Sequence, residues 1–74
     1  MSDRVQQALK DLSRDDLAVL RDCVEYVGGY EGGSFKTPLM GALERGHDMP
    51  RRSRLIVAVK HLSEAEILAL CEGD

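Results

Sequence analysis

The side chains able to act as nucleophile or general base are few and scattered: Cys23, Ser34, His47, His61 and Cys71. Nucleophilic catalysis needs a base within hydrogen-bond reach of the attacking atom, oriented in turn by a third group. Ser34 stands in Gly32-Gly33-Ser34-Phe35-Lys36, which lacks the second glycine of a nucleophile elbow and has no histidine nearby in the chain. Lys36-Thr37, following a run of glycines, suggests a phosphate-binding loop. That reading fails on three counts: Phe35 stands where such a loop has glycine, the preceding element is helical, and the chain is too short for a nucleotide fold. A weak anion site at Thr37 with Lys36 is what remains. The two cysteines are embedded in helical patterns without CxxC spacing and are expected to be buried reduced thiols. Joined to His47 and His61 they match no zinc-ligand spacing. No metal, no cofactor and no enzymatic activity are therefore expected.

Two constellations suit recognition better than catalysis. Tyr26, Tyr30 and Phe35 are the only aromatic residues, and they share a ten-residue window with Gly28, Gly29, Gly32 and Gly33. Rings supply contact area at low entropy cost and glycines let a backbone approach closely, which suits a binding loop. The same rings could instead plug the open end of a small bundle. The second constellation is Arg51, Arg52 and Arg54, placed in the first turn of a helix, where the dipole disfavours each positive charge by about 0.3–1 kcal/mol. Either they pair with acidic groups inside the protein or its dimer, or they serve an external acidic partner. The partner-binding surface is accordingly expected at Tyr30, Phe35, Arg51, Arg52 and Arg54, with the arginines beside the glycine loop.

The elements that must position these residues are written twice. Val5-Ala8-Leu9-Lys10-Leu12-Ser13-Leu17-Leu20 returns fifty residues later as Leu55-Ala58-Val59-Lys60-Leu62-Ser63-Ile67-Leu70. Each copy reads as an apolar helical stripe, a Leu-Ser break and a second stripe, which predicts two helical hairpins. Ser13 with Asp16 and Ser63 with Glu66 form capping boxes. The predicted helices run Asp3 to Leu12, Arg14 to about Val27, Pro38 to Arg45, about Asp48 to His61, and Glu64 to Glu72. Gly28-Gly29 ends the second, Thr37-Pro38 caps the third and Gly46 closes it, and Gly73 ends the last. Leu55 to Val59 is apolar nearly all round, so a short strand there is the rival assignment. The fold class is all-α: a compact bundle of four or five short helices, with hairpins at about 3–27 and 48–72 joined by the Gly/aromatic loop and a short third helix.

At 74 residues the chain is expected to be a single helical domain of marginal stability. With 43% hydrophobic and only 4% aromatic residues, the core must be built from Leu, Val, Ile and Ala. No apolar run approaches a membrane span and residues 1–5 lack the apolar stretch of a signal peptide, so the protein is expected to be cytoplasmic. Surplus apolar surface on helices two and four predicts a homodimer through Val19, Cys23 and Tyr26 or through Ile56 and Val57. The expected function is that of a small non-enzymatic regulator or inhibitor that binds a larger bacterial protein, in a bacterial or bacteriophage setting. The alternative is a small DNA-binding regulator using the basic helical segment 45–61. Residues 35–62 hold six basic and two acidic side chains. Against that reading stand a pI near 5.3, acidic flanking segments, and no Asn or Gln in the reading helix to recognise adenine.

Overall fold

The computed structural model describes residues 3–31, 33–45 and 48–72, and over these the regular secondary structure is all helical, with no strand. The order is α1 (Asp3–Asp11), α2 (Arg14–Tyr26), a 3-10 turn (Gly29–Glu31), α3 (Lys36–Leu43), α4 (Met49–His61) and α5 (Glu64–Glu72). The expectations placed on Gly32, Gly46, His47 and Gly73 lie outside the described residues. No helix among the described residues is long and apolar enough to cross a membrane.

Both Leu-Ser breaks form as capping boxes. At the first, Asp16 N–H donates to Ser13 Oγ at 3.1 Å and Ser13 N–H donates to Asp16 Oδ2 at 3.2 Å. At the second, Glu66 N–H donates to Ser63 Oγ at 3.2 Å and Ser63 N–H donates to Glu66 Oε1 at 3.0 Å. Each box satisfies backbone donors that a helix start leaves unpaired, and so turns the chain without exposing them. The repeated stripes then supply the core: Val5 and Leu55, Leu12 and Leu62, Leu17 and Ile67, Leu20 and Leu70 are all buried. The hairpins do not stand side by side as separate units. α1 packs chiefly on α5 and also meets α4, while α2 meets both α4 and α5, so the two halves share one core.

The connection between the halves follows expectation at the end of α2 and departs from it at the start of α3. α2 ends at Tyr26, and Gly28 takes the left-handed conformation at φ 75°, as a glycine after a helix end is suited to do. Gly29 is needed for close approach rather than for dihedral freedom, because a Cβ there would lie 2.7 Å from Val24 Cγ1 and 3.2 Å from the Phe35 ring. α3 begins at Lys36 with Phe35 at its cap and no side-chain cap bond, so Thr37 lies inside the first turn and is not the cap. Burial of the Phe35 ring sets the entry into α3, which explains the earlier start. The strand alternative for Leu55 to Val59 is excluded: the segment is helical, with Leu55 and Val59 in the core and Ile56 half-buried against it.

Candidate functional site

The basic turn at the start of α4 finds its counter-ion on α2. Asp16 occupies the first turn of α2, and its side chain is only 1% exposed despite its charge. Arg51 Nε donates to Asp16 Oδ1 at 2.9 Å, and Arg54 grips the same carboxylate through Nε to Oδ2 at 2.9 Å and Nη2 to Oδ1 at 3.0 Å. With the Ser13 amide, the carboxylate accepts four hydrogen bonds. The Arg54 guanidinium leads the influences that hold the Asp16 carboxyl well below the usual carboxylate range, outweighing the burial that pushes the other way. Two helix N-termini, each unfavourable for arginine, thus meet at one buried anion. The placement of Arg51 and Arg54 against their own helix dipole is explained by the partner on the neighbouring helix.

Arg54 also forms part of a groove between α1 and α4 with a cavity volume of about 750 Å³. Its apolar floor comes from Ala8, Leu12, Val57, Ala58 and Leu62, and its rim from Asp3, Arg4, Gln7, Asp11, Ser53, Arg54 and His61. Every lining residue is matched by the one fifty positions away: 3 with 53, 4 with 54, 7 with 57, 8 with 58, 11 with 61, 12 with 62. The ion pairs flanking the groove are matched in the same way. Arg54 of the second half binds Asp16 of the first at 2.9 Å, and Arg4 of the first half approaches Glu66 of the second at 3.9 Å. Contacts in which i meets j and j meets i are the signature of a two-fold axis. The groove lies on an approximate internal dyad of the chain.

The residues expected to form one partner surface are not brought together. Phe35 is 3% exposed and packs in the core, so its assignment as a contact residue is corrected: a bundle with three rings uses this one to fill its interior. Tyr30 lies beyond the C-terminal end of α2, whereas Arg51 and Arg54 bind at its N-terminal turn. A 13-residue helix, about 20 Å long, runs between those two ends. The arginines are therefore not beside the glycine loop. Arg52 projects from the same turn as Arg51 and is half-buried. Tyr30 is half-exposed, and its hydroxyl pKa is pushed up to about 12, first by burial and then by a hydrogen bond with the Cys71 thiol. The carbonyl of Cys71 also accepts from Arg21 Nε at 2.8 Å, which ties α5 to α2.

The residues expected at a dimer interface separate likewise. Val19, Cys23 and Ile56 are half-buried against the core, while Tyr26 at 82% exposure and Val57 at 55% face outward on different helices. Only Val57 lines the groove. Asp3, Arg4, Gln7, Asp11 and Ser53 were not anticipated as site residues. Of these only Arg4 had a signal in the repeat, since extending the repeated phrase outward by one residue adds Arg4 with Arg54.

Among the described residues no three His, Cys, Asp or Glu side chains cluster as a metal site would require. No family model, curated protein or solved structure matches this chain.

Proposed function

We propose that this chain is a small non-enzymatic binding protein that regulates or inhibits a larger protein by docking it in the groove between α1 and α4. The observation that carries the reading is the groove itself: an apolar floor, a charged rim and an exposed valine in its lining, on helices α1 and α4 that ion pairs tie to α5 and α2. Grooves between helices with apolar floors suit an amphipathic helix or a short apolar segment of another protein. Helical walls hold such a surface more firmly than a loop would, which lowers the ordering cost of binding. The side chains around it, two aspartates, two arginines already facing carboxylates, a glutamine and a histidine, offer recognition rather than a nucleophile poised beside a base.

The DNA-binding alternative loses support from the same geometry. Phosphate contacts need cationic groups directed outward, and Arg51 and Arg54 direct their Nε donors inward to Asp16. The test is an affinity capture from lysate with the wild-type chain and the folded variant Val57→Glu in parallel, followed by salt-dependent retention on DNA. A stoichiometric protein retained by the wild type and lost by the variant supports docking in the groove. Equal capture by both chains, or retention on DNA that falls steeply with salt, rejects it.

A further inference from the structure

We infer that α1 is a detachable wall of the groove, a helix that undocks as a unit while α2 to α5 keep their fold. The repeat gives each wall a counterpart in the other, so their anchors can be compared residue by residue. α4 is fastened by a buried charge: Arg51 and Arg54 reach the Asp16 carboxylate, 1% exposed, at 2.9 Å. At the corresponding place on α1, Arg4, its side chain 71% exposed, stands 3.9 Å from Glu66. An exposed pair at that distance adds little, because water screens both charges. The bond from Gln7 Nε2 to Asp11 Oδ1 at 3.3 Å lies within α1 and ties it to no other element.

Apolar packing runs the same way. Leu55 and Val59 of α4 are fully buried, whereas their counterparts are Val5, one carbon smaller, and Leu9, which is half-buried. Ala8, buried where Ala58 is half-buried, returns no more than a methyl group. Among the described residues eight apolar side chains have no exposure at all, two on each of α2, α3, α4 and α5 and none on α1. Those four helices are also bonded to one another without α1. Besides the Asp16 clamp between α2 and α4, Arg21 Nε of α2 donates to the Cys71 carbonyl of α5 at 2.8 Å. Ser34 Oγ, just ahead of α3, donates to Glu64 Oε2 of α5 at 3.2 Å, and Lys36 Nζ of α3 donates to the Lys60 carbonyl of α4 at 3.3 Å. The Ser13–Asp16 capping box is complete within its own turn, so α2 keeps its start when α1 leaves. Away from its packing surface a helix of nine residues is too short to persist in water.

The consequence for function rests on the reading of the groove as a docking surface. When α1 departs it takes Asp3, Arg4, Gln7, Ala8 and Asp11 out of the groove lining and bares the faces of α5 and α4 on which it packs. Openings of this kind are excursions from a docked state that predominates. A partner that touches both walls binds the docked state alone and lowers the open population by mass action. Affinity then depends on the seat of α1: whatever loosens that helix weakens the partner's hold, and one element assembles or dismantles the groove.

Native-state hydrogen exchange on the full chain, followed by NMR through a series of sub-denaturing urea concentrations, tests this. The amides of Ala8, Leu9 and Lys10 should exchange about tenfold or more faster than those of Leu55 and Val59 and respond weakly to urea, since undocking one helix exposes far less surface than global unfolding. Asp16→Asn, with circular dichroism confirming its helices, should speed exchange at Leu55 and Val59 by about tenfold or more. It should leave the α1 amides within about twofold of the wild type, because the Asp16 site is the same before and after α1 leaves. Equal protection and equal urea dependence in α1 and α4 of the wild type, or equal acceleration of both by Asp16→Asn, overturns the inference. If the variant does not fold, the wild-type series decides alone. None of these measurements needs a partner. A captured partner should then slow exchange at Ala8, Leu9 and Lys10; if it leaves them unslowed, docking in the groove is what fails and the detachable helix stands.

Discussion

Asp16 and Glu66 hold the same place in the two halves of the chain, third residue of a helix after a capping serine, and their fates differ. Asp16 is 1% exposed and held by two guanidiniums at 2.9 Å, whereas the Glu66 side chain is 21% exposed and lies 3.9 Å from the Arg4 guanidinium. Locally the two are the same, since both complete their capping boxes. The difference is tertiary. The first half has its N-terminal turn covered by the start of α4, which brings Arg51 as well as Arg54, and a shorter carboxylate lets both reach in. One copy of the repeat has hardened into an interhelix clamp while its counterpart has remained a surface contact. An internal repeat thus secures the backbone twice and leaves side chains at equivalent positions free to take separate tasks.

The strongest way to break this comparison is to remove the two carboxylates in turn. Asp16→Ala leaves two arginines at a buried site without their counter-ion, which costs several kcal/mol when the charges are fully enclosed. Arg51 and Arg54 retain side-chain exposures of 32% and 44%, so water relieves part of that loss, and we expect about 2–3 kcal/mol by denaturant unfolding. The equivalent Glu66→Ala should cost about 1 kcal/mol or less, mostly through its bond to the Ser63 amide. Equal losses at both positions would show that the clamp adds nothing to the cap.

The serines give the next test. Ser63→Ala and Ser13→Ala should each cost about 1 kcal/mol, a typical cap value, because the amide that holds each carboxylate belongs to the backbone and survives either substitution. Arg4→Ala should lie within about 0.5 kcal/mol of the wild type, as expected for an exposed, long ion pair. A larger effect at Arg4 than at Arg51 would invert the ranking on which the comparison stands.

Acid unfolding sharpens it further. The Asp16 carboxyl is depressed in the folded state, so its contribution is present above the ordinary aspartate range and is lost as pH falls toward the depressed folded value. The wild type should lose stability progressively below about pH 4. Asp16→Asn should flatten that part of the curve while starting from a lower plateau. A profile identical to the wild type in shape would place the acid sensitivity elsewhere.

Much of the architecture was legible because its signals are local. Ser13-Asp16 and Ser63-Glu66 needed only three-residue spacing to be read as caps, and the apolar stripes gave the helices to within a residue or two at most boundaries. The start of α3 was misplaced because Phe35, a core residue entered from a loop, sets it in place of the expected Thr37-Pro38 cap. The candidate site was legible only in part. Three arginines against a helix dipole signalled a missing anion, but nothing in linear spacing identifies Asp16, 35 positions from Arg51 and 38 from Arg54, as that anion. The groove was hidden for the same reason: the repeat made α1 and the body of α4 equivalent without stating that they lie next to each other. Val57 was singled out as surplus apolar surface and is exposed on α4, but no linear spacing pointed to α1 as the other wall of the groove it lines.

The account turns on the groove, rather than the glycine-aromatic loop, being the docking surface. Backbone amide chemical shifts followed while a captured partner is titrated in test it most directly. The account predicts shifts confined to the groove, at Asp3, Gln7, Asp11, Ser53, Val57 and His61, with Tyr26, Tyr30 and Glu31 unchanged. Shifts concentrated at Tyr26, Tyr30 and Glu31, with the groove residues unmoved, would contradict it.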